Sequence, residues 1–349
     1  MEHLIIDGRR IGPSEPPYII AEIGSNHNGD LSLAKRLVAA AKDCGADAVK
    51  FQSWSTESLI SAAEYERNTR YIGDTGGLTL EQQVRRYELS CSQHYEIASY
   101  CRELDVTFFS SCFSRREADM LDSLGVPAFK IASMDVNHLP LLEYVARKGK
   151  PVILSSGLAT LGEIERALDV LGTRGADSVA VLHCVSIYPS PPETIDLLNI
   201  PTLRAAFNVP VGYSDHSLGN AVPLAAVALG ACIIEKHFTL DKRMDGWDHG
   251  ISADPNDLAQ LVQDSRAVFA ALGSPVRTVR PEQLEKRRSF RRRMVVTRAL
   301  PAGELLLPED VEFKRPGTGI GPDELPYAAG RPLKRDLQAE DEVEWADLG

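Results

Sequence analysis

The sequence predicts an α/β protein, a (β/α)8 TIM barrel preceded by a β-hairpin and followed by a small, mostly β domain. Eight apolar runs alternate with segments of helical periodicity over about 250 residues, which is the size and unit count of such a barrel. The runs are continuously apolar, as expected for parallel strands whose two faces are both covered. From Met294 onward, short strands with Pro and Gly turns replace this alternation.

The elements follow in order along the chain. A hairpin comes first, because the apolar triplets LII and RIG flank the turn signal Asp7-Gly8. The first barrel strand then runs into the turn EIGSNHNG. This turn lacks the GxGxxG pattern of a doubly wound open sheet, and so favours the barrel over that alternative. The predicted barrel strands are 18–24, 48–52, 106–111, 128–133, 151–157, 178–186, 210–215 and 232–238.

Two segments interrupt the regular alternation. Residues 53–81, which include Trp54 and Tyr65, form a connection so long that we expect it to be functional or mobile. Residues 274–293 are rich in Pro and in charge and predict a solvated linker. The predicted organisation is therefore a barrel domain over residues 1–273, that linker, and a small domain over residues 294–349.

The composition excludes several classes of partner. The chain has 349 residues, 44% of them hydrophobic and 25% charged, with a formal net charge of −11. This acidic balance argues against nucleic acid or an anionic membrane surface as a partner. No apolar run approaches the ~20 residues that span a bilayer, and the first residues lack the features of a signal peptide. Together with six scattered cysteines, these features predict a cytoplasmic protein with reduced thiols.

Two histidines stand in matching positions of successive strand–helix units. His216 and His237 each lie just past an apolar run, and one helix-length segment, 219–230, separates them. If the two runs are neighbouring parallel strands, both imidazoles lie at one rim of the barrel. Two imidazoles with Asp248 nearby suit a divalent transition metal better than magnesium or calcium, which prefer oxygen ligands. The alternative is that each histidine caps its own strand end.

The other predicted strand ends carry lysines and hydroxyls. Lys50 and Lys130 converge with several serines at the rim where barrel active sites lie. An ammonium group is a compact donor for phosphate and serine hydroxyls add neutral donors, so these residues predict a phosphate or carboxylate site. Alternatively, each serine satisfies a loop carbonyl and each lysine pairs with Glu22 or Glu235.

A metal and an anion site in one cavity indicate carbonyl chemistry on a phosphorylated or acidic substrate. From the residues alone, an aldol-type condensation, an isomerase and a metal-dependent hydrolase all stay open.

Eight short motifs extend in order across nearly the whole chain. They are AEIGSNHNG (21–29), AVKFQ (48–52), FKIAS (129–133), ILSSG (153–157), LHCVSIYPSP (182–191), GYSDHS (212–217), EKHFTLD (235–241) and KRPGTGI (314–320). With these motifs the chain resembles the sialic acid (N-acetylneuraminate) synthase family, which includes legionaminic and pseudaminic acid synthases and spore-coat polysaccharide synthase-like proteins. Its C-terminal part resembles the antifreeze-like (SAF) domain that ends these enzymes. The resemblance implies condensation of phosphoenolpyruvate (PEP) with an N-acetylated amino sugar.

The resemblance also implies roles for individual residues. His216 and His237 would hold a divalent metal, most often Mn2+, and Glu22 and Asp248 would handle a water on the metal side. The phosphate and carboxylate of PEP would be bound by Lys50, Ser111, Lys130, Ser133, Ser155, Ser186 and Ser214.

The residues that the resemblance assigns to the sugar match the family pattern less closely than those assigned to PEP. Gln52, Asp135 and Tyr188 would contact the sugar, and Arg315 would reach over the barrel mouth of a neighbouring subunit, which implies a domain-swapped homodimer. Asp135 stands where many members carry a glutamate, Ser186 where some carry an asparagine, and Trp247 where proline is common. These departures leave the identity of the sugar substrate open.

Two other functions also stay open. One is a condensation of PEP with another aldose or an aldose phosphate, which a second anion pocket would mark. The other is a non-catalytic carbohydrate-binding protein in which the C-terminal module is the working part.

Overall fold

The computed structural model describes residues 3–68 and 78–349. Residues 69–77 of the predicted inserted segment, including Tyr71 and Gly76-Gly77, lie outside the described residues. The chain forms two compact units, Met1–Gly273 and Ser274–Gly349. Within the described ranges, no helix combines the length and the apolar composition needed to cross a bilayer.

The first unit is a closed eight-stranded parallel barrel, which confirms the predicted fold class. A short antiparallel hairpin precedes it, formed by β1 (Leu4–Ile6) and β2 (Arg9–Ile11) around the Asp7-Gly8 turn. Each barrel strand pairs with the next one along the chain, and the last strand closes on the first. The barrel strands are β3 (Tyr18–Gly24), β4 (Ala48–Ser53), β5 (Thr107–Cys112), β6 (Phe129–Ile131), β7 (Val152–Ser155), β8 (Val179–Cys184), β9 (Val211–Asp215) and β10 (Ile233–His237).

The longer helices of the first unit cover the barrel, and each of them buries one face. In the first of them, Leu33, Leu37 and Ala41 are buried at four-residue spacing, and the side chain of Asp30 caps the N-terminus by accepting from the backbone of Ser32. The helices of the first unit are α1 (Leu31–Asp43), α2 (Thr56–Leu59), α3 (Ala62–Arg67), α4 (Leu80–Arg86), α5 (Cys91–Glu103), α6 (Arg115–Ser123), α7 (Leu139–Ala146), α8 (Leu161–Arg174), α9 (Asn199–Phe207), α10 (Ala221–Ala228) and α11 (Pro255–Leu272).

The strands are continuously buried, because the helices cover their outer faces and side chains fill the barrel interior. All seven residues of β3 and all five of β9 are buried. Gly212 on β9 permits an especially close approach, since a Cβ there would lie 2.6 Å from the carbonyl oxygen of Ile233 on β10. The absence of a side chain at this position therefore brings β9 and β10 together below His216 and His237.

Three strands end two residues earlier than predicted. β6, β7 and β8 stop at Ile131, Ser155 and Cys184, so Ser133 and Ser186 lie in the loops that follow. After β6 the chain turns at once into a 3-10 turn, Ser133–Asp135, and leaves the strand ladder.

The described part of the inserted segment has a small core of its own. Trp54, Leu80, Val84 and Tyr87 form a buried cluster, against which Trp247 also packs. The indole of Trp247 donates to the side-chain oxygen of Gln83 at 2.9 Å. Helix α4 is thereby tied to the loop that follows β10.

The second unit begins with a helix where an irregular linker was predicted. Helix α12 (Pro281–Phe290) forms because its residues, PEQLEKRRSF, are mostly good helix formers with proline in the first turn. Two antiparallel strands follow, β11 (Arg293–Val296) and β12 (Val311–Lys314), and then the single turn α13 (Leu325–Ala328). Their separate core includes Met294, Leu300, Leu306, Ile320, Leu337 and Val343.

Candidate active site

One cavity of about 240 Å³ lies among the C-terminal ends of the barrel strands. Its walls contain most of the site residues predicted from the sequence, so the strand ends do converge as expected. The predicted residues that line it are Glu22, Lys50, Gln52, Ser111, Lys130, Ser133, Ser155, Ser186, Tyr188, Ser214, His216 and His237.

Four buried ionisable side chains form the floor of this cavity. Lys50 Nζ lies 2.7 Å from Glu22 Oε2 and 3.8 Å from Glu235 Oε1. Lys130 Nζ is also 3.8 Å from Glu235 Oε1. Two ammonium groups and two carboxylates therefore balance one another where water is largely excluded. We call Glu22, Lys50, Lys130 and Glu235 the charge quartet.

Strand register explains why these groups meet. Lys50 on β4 is the register partner of Glu22 on β3, and Lys130 on β6 is the partner of Ser111 on β5. Side chains alternate along a strand, so all of these point into the barrel. Hydroxyls complete the contacts: Lys50 donates to Ser111 Oγ at 3.2 Å, and Lys130 donates to Ser155 Oγ at 2.6 Å.

The two carboxyls of the charge quartet differ in proton affinity. Burial raises the pKa of Glu22 to about 7, even though Lys50 acts to lower it. Burial acts in the same direction on Glu235, but the flanking ammonium groups of Lys130 and Lys50 hold its pKa below the usual value. Two carboxyls whose pKa values differ in this way suit different chemical roles. Glu22 can exchange a proton near neutral pH, whereas Glu235 stays ionised.

The two histidines lie side by side at the rim, with ring centroids 5.6 Å apart. The Nδ1–H of His216 donates to the carbonyl of Val185 at 2.8 Å, so Nε2 is the ring nitrogen left to face the Cys184 thiol or a metal. Burial lowers the pKa of His237 to about 4, so its imidazole is neutral, and its Nδ1 is buried without a hydrogen-bond partner. Neutral imidazoles are the form that binds metals.

Asp248 stands behind His237 and does not line the cavity. Its Oδ2 lies 3.6 Å from His237 Nδ1 and accepts from Ser25 Oγ at 3.2 Å. Its backbone carbonyl accepts from Ser252 Oγ, which in turn accepts from Asn26 Nδ2. The network places the carboxylate where it can orient the ring of His237.

A divalent metal fits these residues as an open site. No group of three or more His, Cys, Asp or Glu side chains within residues 3–68 and 78–349 is arranged to hold a metal ion. The chain thus offers two imidazoles, one protein ligand fewer than the three of typical catalytic zinc sites, and water or substrate would have to supply the other ligands. Burial acts to lower the pKa of His216, but its hydrogen bond with Cys184 raises that pKa on balance. Metal binding would release any proton that this ring carries.

Two other predicted site residues lie away from the cavity wall. Asp135 sits in the turn after β6 with its Oδ2 buried and without a hydrogen-bond partner, and burial raises its pKa to about 6. Met134 lines the cavity in its place. Arg315 belongs to the second unit, where its exposed guanidinium lies 5.5 Å from the ring centroid of Phe290.

Several lining residues were not assigned to the site from the sequence. Glu235 was expected at the rim, two residues before His237 and on the same strand face, but it was given no role beyond pairing with a lysine. Cys184 lies two residues before Ser186, so the same two-residue spacing could have placed it on the face that lines the cavity. The other unassigned lining residues are Phe113, Ala132, Met134 and Leu158.

A buried ion pair below the rim fixes the spacing of the histidines. Asp215 and Lys236, each next to a histidine in the chain, are register partners on β9 and β10, with side chains 0% and 2% exposed. Lys236 Nζ also donates to the carbonyl of Ser217 at 2.8 Å, and Asp215 Oδ1 accepts from the backbone and hydroxyl of Ser217 and from Tyr213. The sequence reasoning did not identify this pair.

Comparison with known proteins adds independent findings. The model of the NeuB family matches residues 37–277, and that of the SAF domain matches residues 291–349. An uncharacterised protein of Methanocaldococcus jannaschii is 43% identical to this chain over 348 residues, which cover 100% of this chain and 99% of that protein. The N,N'-diacetyllegionaminic acid synthase of Legionella pneumophila is 40% identical over 345 residues, covering 97% of this chain and 96% of that enzyme.

A solved structure is also similar along most of the chain. The N-acetylneuraminic acid (sialic acid) synthetase of Leptospira borgpetersenii, crystallised in complex with citrate, is 36% identical with a TM-score of 0.72. The similarity covers 82% of this chain and 97% of that one.

The buried ion pair leads to a stability prediction. Replacing Lys236 with methionine leaves the Asp215 carboxylate buried without its cation, so we expect the free energy of unfolding to fall by about 3–5 kcal/mol. Lys35→Met is the control, because it breaks the exposed pair with Glu96 and should cost less than about 1 kcal/mol. Urea denaturation followed by circular dichroism measures both. Equal losses in the two variants would contradict the role assigned to the pair.

Proposed function

The chain belongs to the NeuB family, and we propose that it condenses PEP with an N-acetylated amino sugar to give a nonulosonic acid and phosphate. The resemblance to sialic acid synthases drawn from the motifs is confirmed, and so is the SAF domain at the C-terminal end. The proposed acceptor is N-acetylmannosamine or a 2,4-diacetamido-trideoxyhexose. The observation that carries the proposal is the meeting of Lys50 and Lys130 with the imidazoles of His216 and His237 in one cavity.

The floor of the cavity suits PEP. Its phosphate and carboxylate would bind the ammonium groups of Lys50 and Lys130, which are the strongest donors for anions in the cavity. Serine hydroxyls would complete both anion shells without adding charge. These are the hydroxyls of Ser111, Ser133, Ser155, Ser186 and Ser214.

We further propose that His216 and His237 hold a divalent metal, and we expect Mn2+ from the family resemblance. When bound, such an ion supplies a Lewis acid for the aldehyde oxygen of the open-chain sugar. Asp248 would hold the His237 ring in place, since its carboxylate faces Nδ1 of that ring. Tyr188 would present the sugar to the pair, because its ring centroid lies 4.1 Å from that of His216.

The proposed reaction joins C3 of PEP to C1 of the sugar. As that bond forms, positive charge develops at C2 of PEP, and water adds there. Glu22 takes the proton of this water, a role that fits its pKa of about 7. Gln52 donates to Glu22 Oε1 at 2.6 Å and keeps the carboxyl aimed into the cavity. The tetrahedral intermediate then breaks its C2–O bond, so phosphate leaves with the bridging oxygen.

Phosphate release and isotope position test this proposal together. With PEP, MnCl2 and a panel of N-acetylated sugars, we expect phosphate release that depends on the sugar. In oxygen-18 water the label should enter the C2 oxygen of the product and not the phosphate. Lys130→Met should abolish turnover, whereas Lys148→Met, at a surface lysine paired with Asp119, should leave it unchanged. Label in the phosphate would refute C–O cleavage.

The metal proposal has a binding readout that does not depend on turnover. His216→Ala and His237→Ala should each weaken Mn2+ binding by more than about 100-fold, because loss of groups that merely support a ligand already costs 10–100-fold. Calorimetric titration with MnCl2 measures this. His138→Ala, at an exposed histidine that does not line the cavity, is the matched control. Unchanged affinity in both rim variants would exclude the site.

We also propose a domain-swapped homodimer in which Arg315 of the partner subunit reaches the barrel mouth. The support is its exposed position in the KRPGTG motif of the second unit. Co-expression of Arg315→Ala with His237→Ala subunits should restore about a quarter of wild-type activity, because half of the dimers then contain one intact site. Co-expression of His237→Ala with Glu22→Gln subunits should restore no activity, because both substitutions lie on the barrel and every barrel then carries a defect. Absence of complementation in the first pair would rule out action across subunits.

A further inference from the structure

The upper wall of the cavity is apolar along one arc of the barrel. Phe113, Met134, Leu158 and Tyr188 follow β5, β6, β7 and β8 and line the same cavity as the two lysines. We call these four residues the apolar rim. Met134 is 59% exposed, Leu158 68% and Tyr188 53%, so large apolar surfaces face the space that a bound sugar would occupy.

The opposite arc is polar. Glu22 on β3, Gln52 on β4 and His237 on β10 lie on three strands that are neighbours in the barrel order. A sugar held between the two arcs would therefore turn its reacting aldehyde and hydroxyls toward the polar arc. Its remaining substituents would lie against the apolar rim.

The described barrel wall itself offers no unpaired cation for a second phosphate, so only the partner subunit's Arg315, proposed to lie at the mouth, could meet one. Among the described residues that line it, Lys50 and Lys130 are the only lysine or arginine side chains. Both are already paired with carboxylates of the charge quartet, and both would be taken by the phosphate and carboxylate of PEP. A phosphate on the acceptor would have to lose water beside methionine and leucine with no cation of the barrel to meet it.

The apolar rim is also held rigidly at one end. Phe113 contacts Trp54 at a ring-centroid distance of 6.1 Å, and Trp54 stacks on Trp247 at 6.4 Å. Phe113 is therefore supported by packing on its far side, and Met134 and Leu158 have only apolar atoms in the side chains that line the cavity.

From this geometry we infer that the apolar rim selects an unphosphorylated acceptor whose substituents far from the aldehyde end in methyl groups. The inference rests on the proposed function and narrows it to the 2,4-diacetamido-2,4,6-trideoxyhexoses. Their second N-acetyl group and C6 methyl bury apolar surface against Met134 and Leu158. A C6 hydroxyl in the same place loses water without gaining a hydrogen bond.

A comparison of three acceptors tests the inference. With PEP and MnCl2, kcat/KM from phosphate release should be at least about 10-fold higher for 2,4-diacetamido-2,4,6-trideoxymannose than for N-acetylmannosamine, and lowest for N-acetylmannosamine 6-phosphate. Equal or reversed preference would overturn the inference while the proposed function stands. Absence of release with all three would overturn the proposed function and this inference with it.

A rim variant tests whether these residues cause the preference. Met134→Gln with Leu158→Gln keeps the size of both side chains at exposed positions, and should lower the preference for the trideoxy sugar about 10-fold or more. Leu272→Gln, at a leucine that is 47% exposed and lies outside the cavity, should leave it unchanged. Thermal unfolding of the variants checks that both are folded. An unchanged preference in the folded double variant would refute the role of the rim.

Discussion

The site depends on mutual neutralisation of four charges in the centre of a barrel. The side chains of the charge quartet are at most 7% exposed, and an unpaired charge at such a position would cost several kcal/mol of desolvation. Each lysine is therefore paired with a carboxylate and each carboxylate with a lysine. Of the two carboxylates, Glu22 is the one that can accept a proton near neutral pH, because burial raises its pKa to about 7. That is the property its proposed role as the base requires.

The barrel supplies the rigidity that this balance requires. Two lysines and two histidines on four different strands keep their separations only if the strands do not slide. Gly212 allows β9 to approach β10 closely, and the Asp215–Lys236 pair locks their ends in register. Because parallel strands cannot shift by one residue without turning every inward side chain outward, the position of His237 relative to Glu22 is fixed by the fold itself.

Strand residues of the site could be predicted more completely than loop residues, because Ser133, Ser186 and Tyr188 line the cavity as expected but Asp135 and Asp248 do not. Lys50, Lys130 and His237 follow from one rule, that inward side chains at strand ends converge. Asp135 and Asp248 escape this rule, because each lies past the end of a strand where the chain turns according to local packing. A 3-10 turn takes Asp135 off the wall, and contacts with Ser25 and Ser252 set Asp248 behind a histidine.

Ion pairing and helix formation in charged segments escaped prediction for other reasons. The sequence suggested that Glu22 or Glu235 pairs with a lysine, but only strand register decides which lysine and at what distance. In residues 281–290, the density of charge indicated a solvated linker, while the helix-forming tendency of the same residues prevailed. In both cases a local sequence pattern allows more than one structure, and the pattern alone does not show which one forms.

The division between strands and loops also separates reaction from specificity. The two lysines that would bind PEP sit on strands, where register tolerates little change, while Ser133 and Ser186 lie in the loops that follow β6 and β8. Met134 and Leu158 line the cavity from loops, where a different side chain alters mainly the surface offered to the sugar. The three positions at which this chain departs from its family pattern, Asp135, Ser186 and Trp247, all lie on loops. Changes at such positions leave the charge quartet and the histidine pair in place, because the barrel beneath the loops holds these groups.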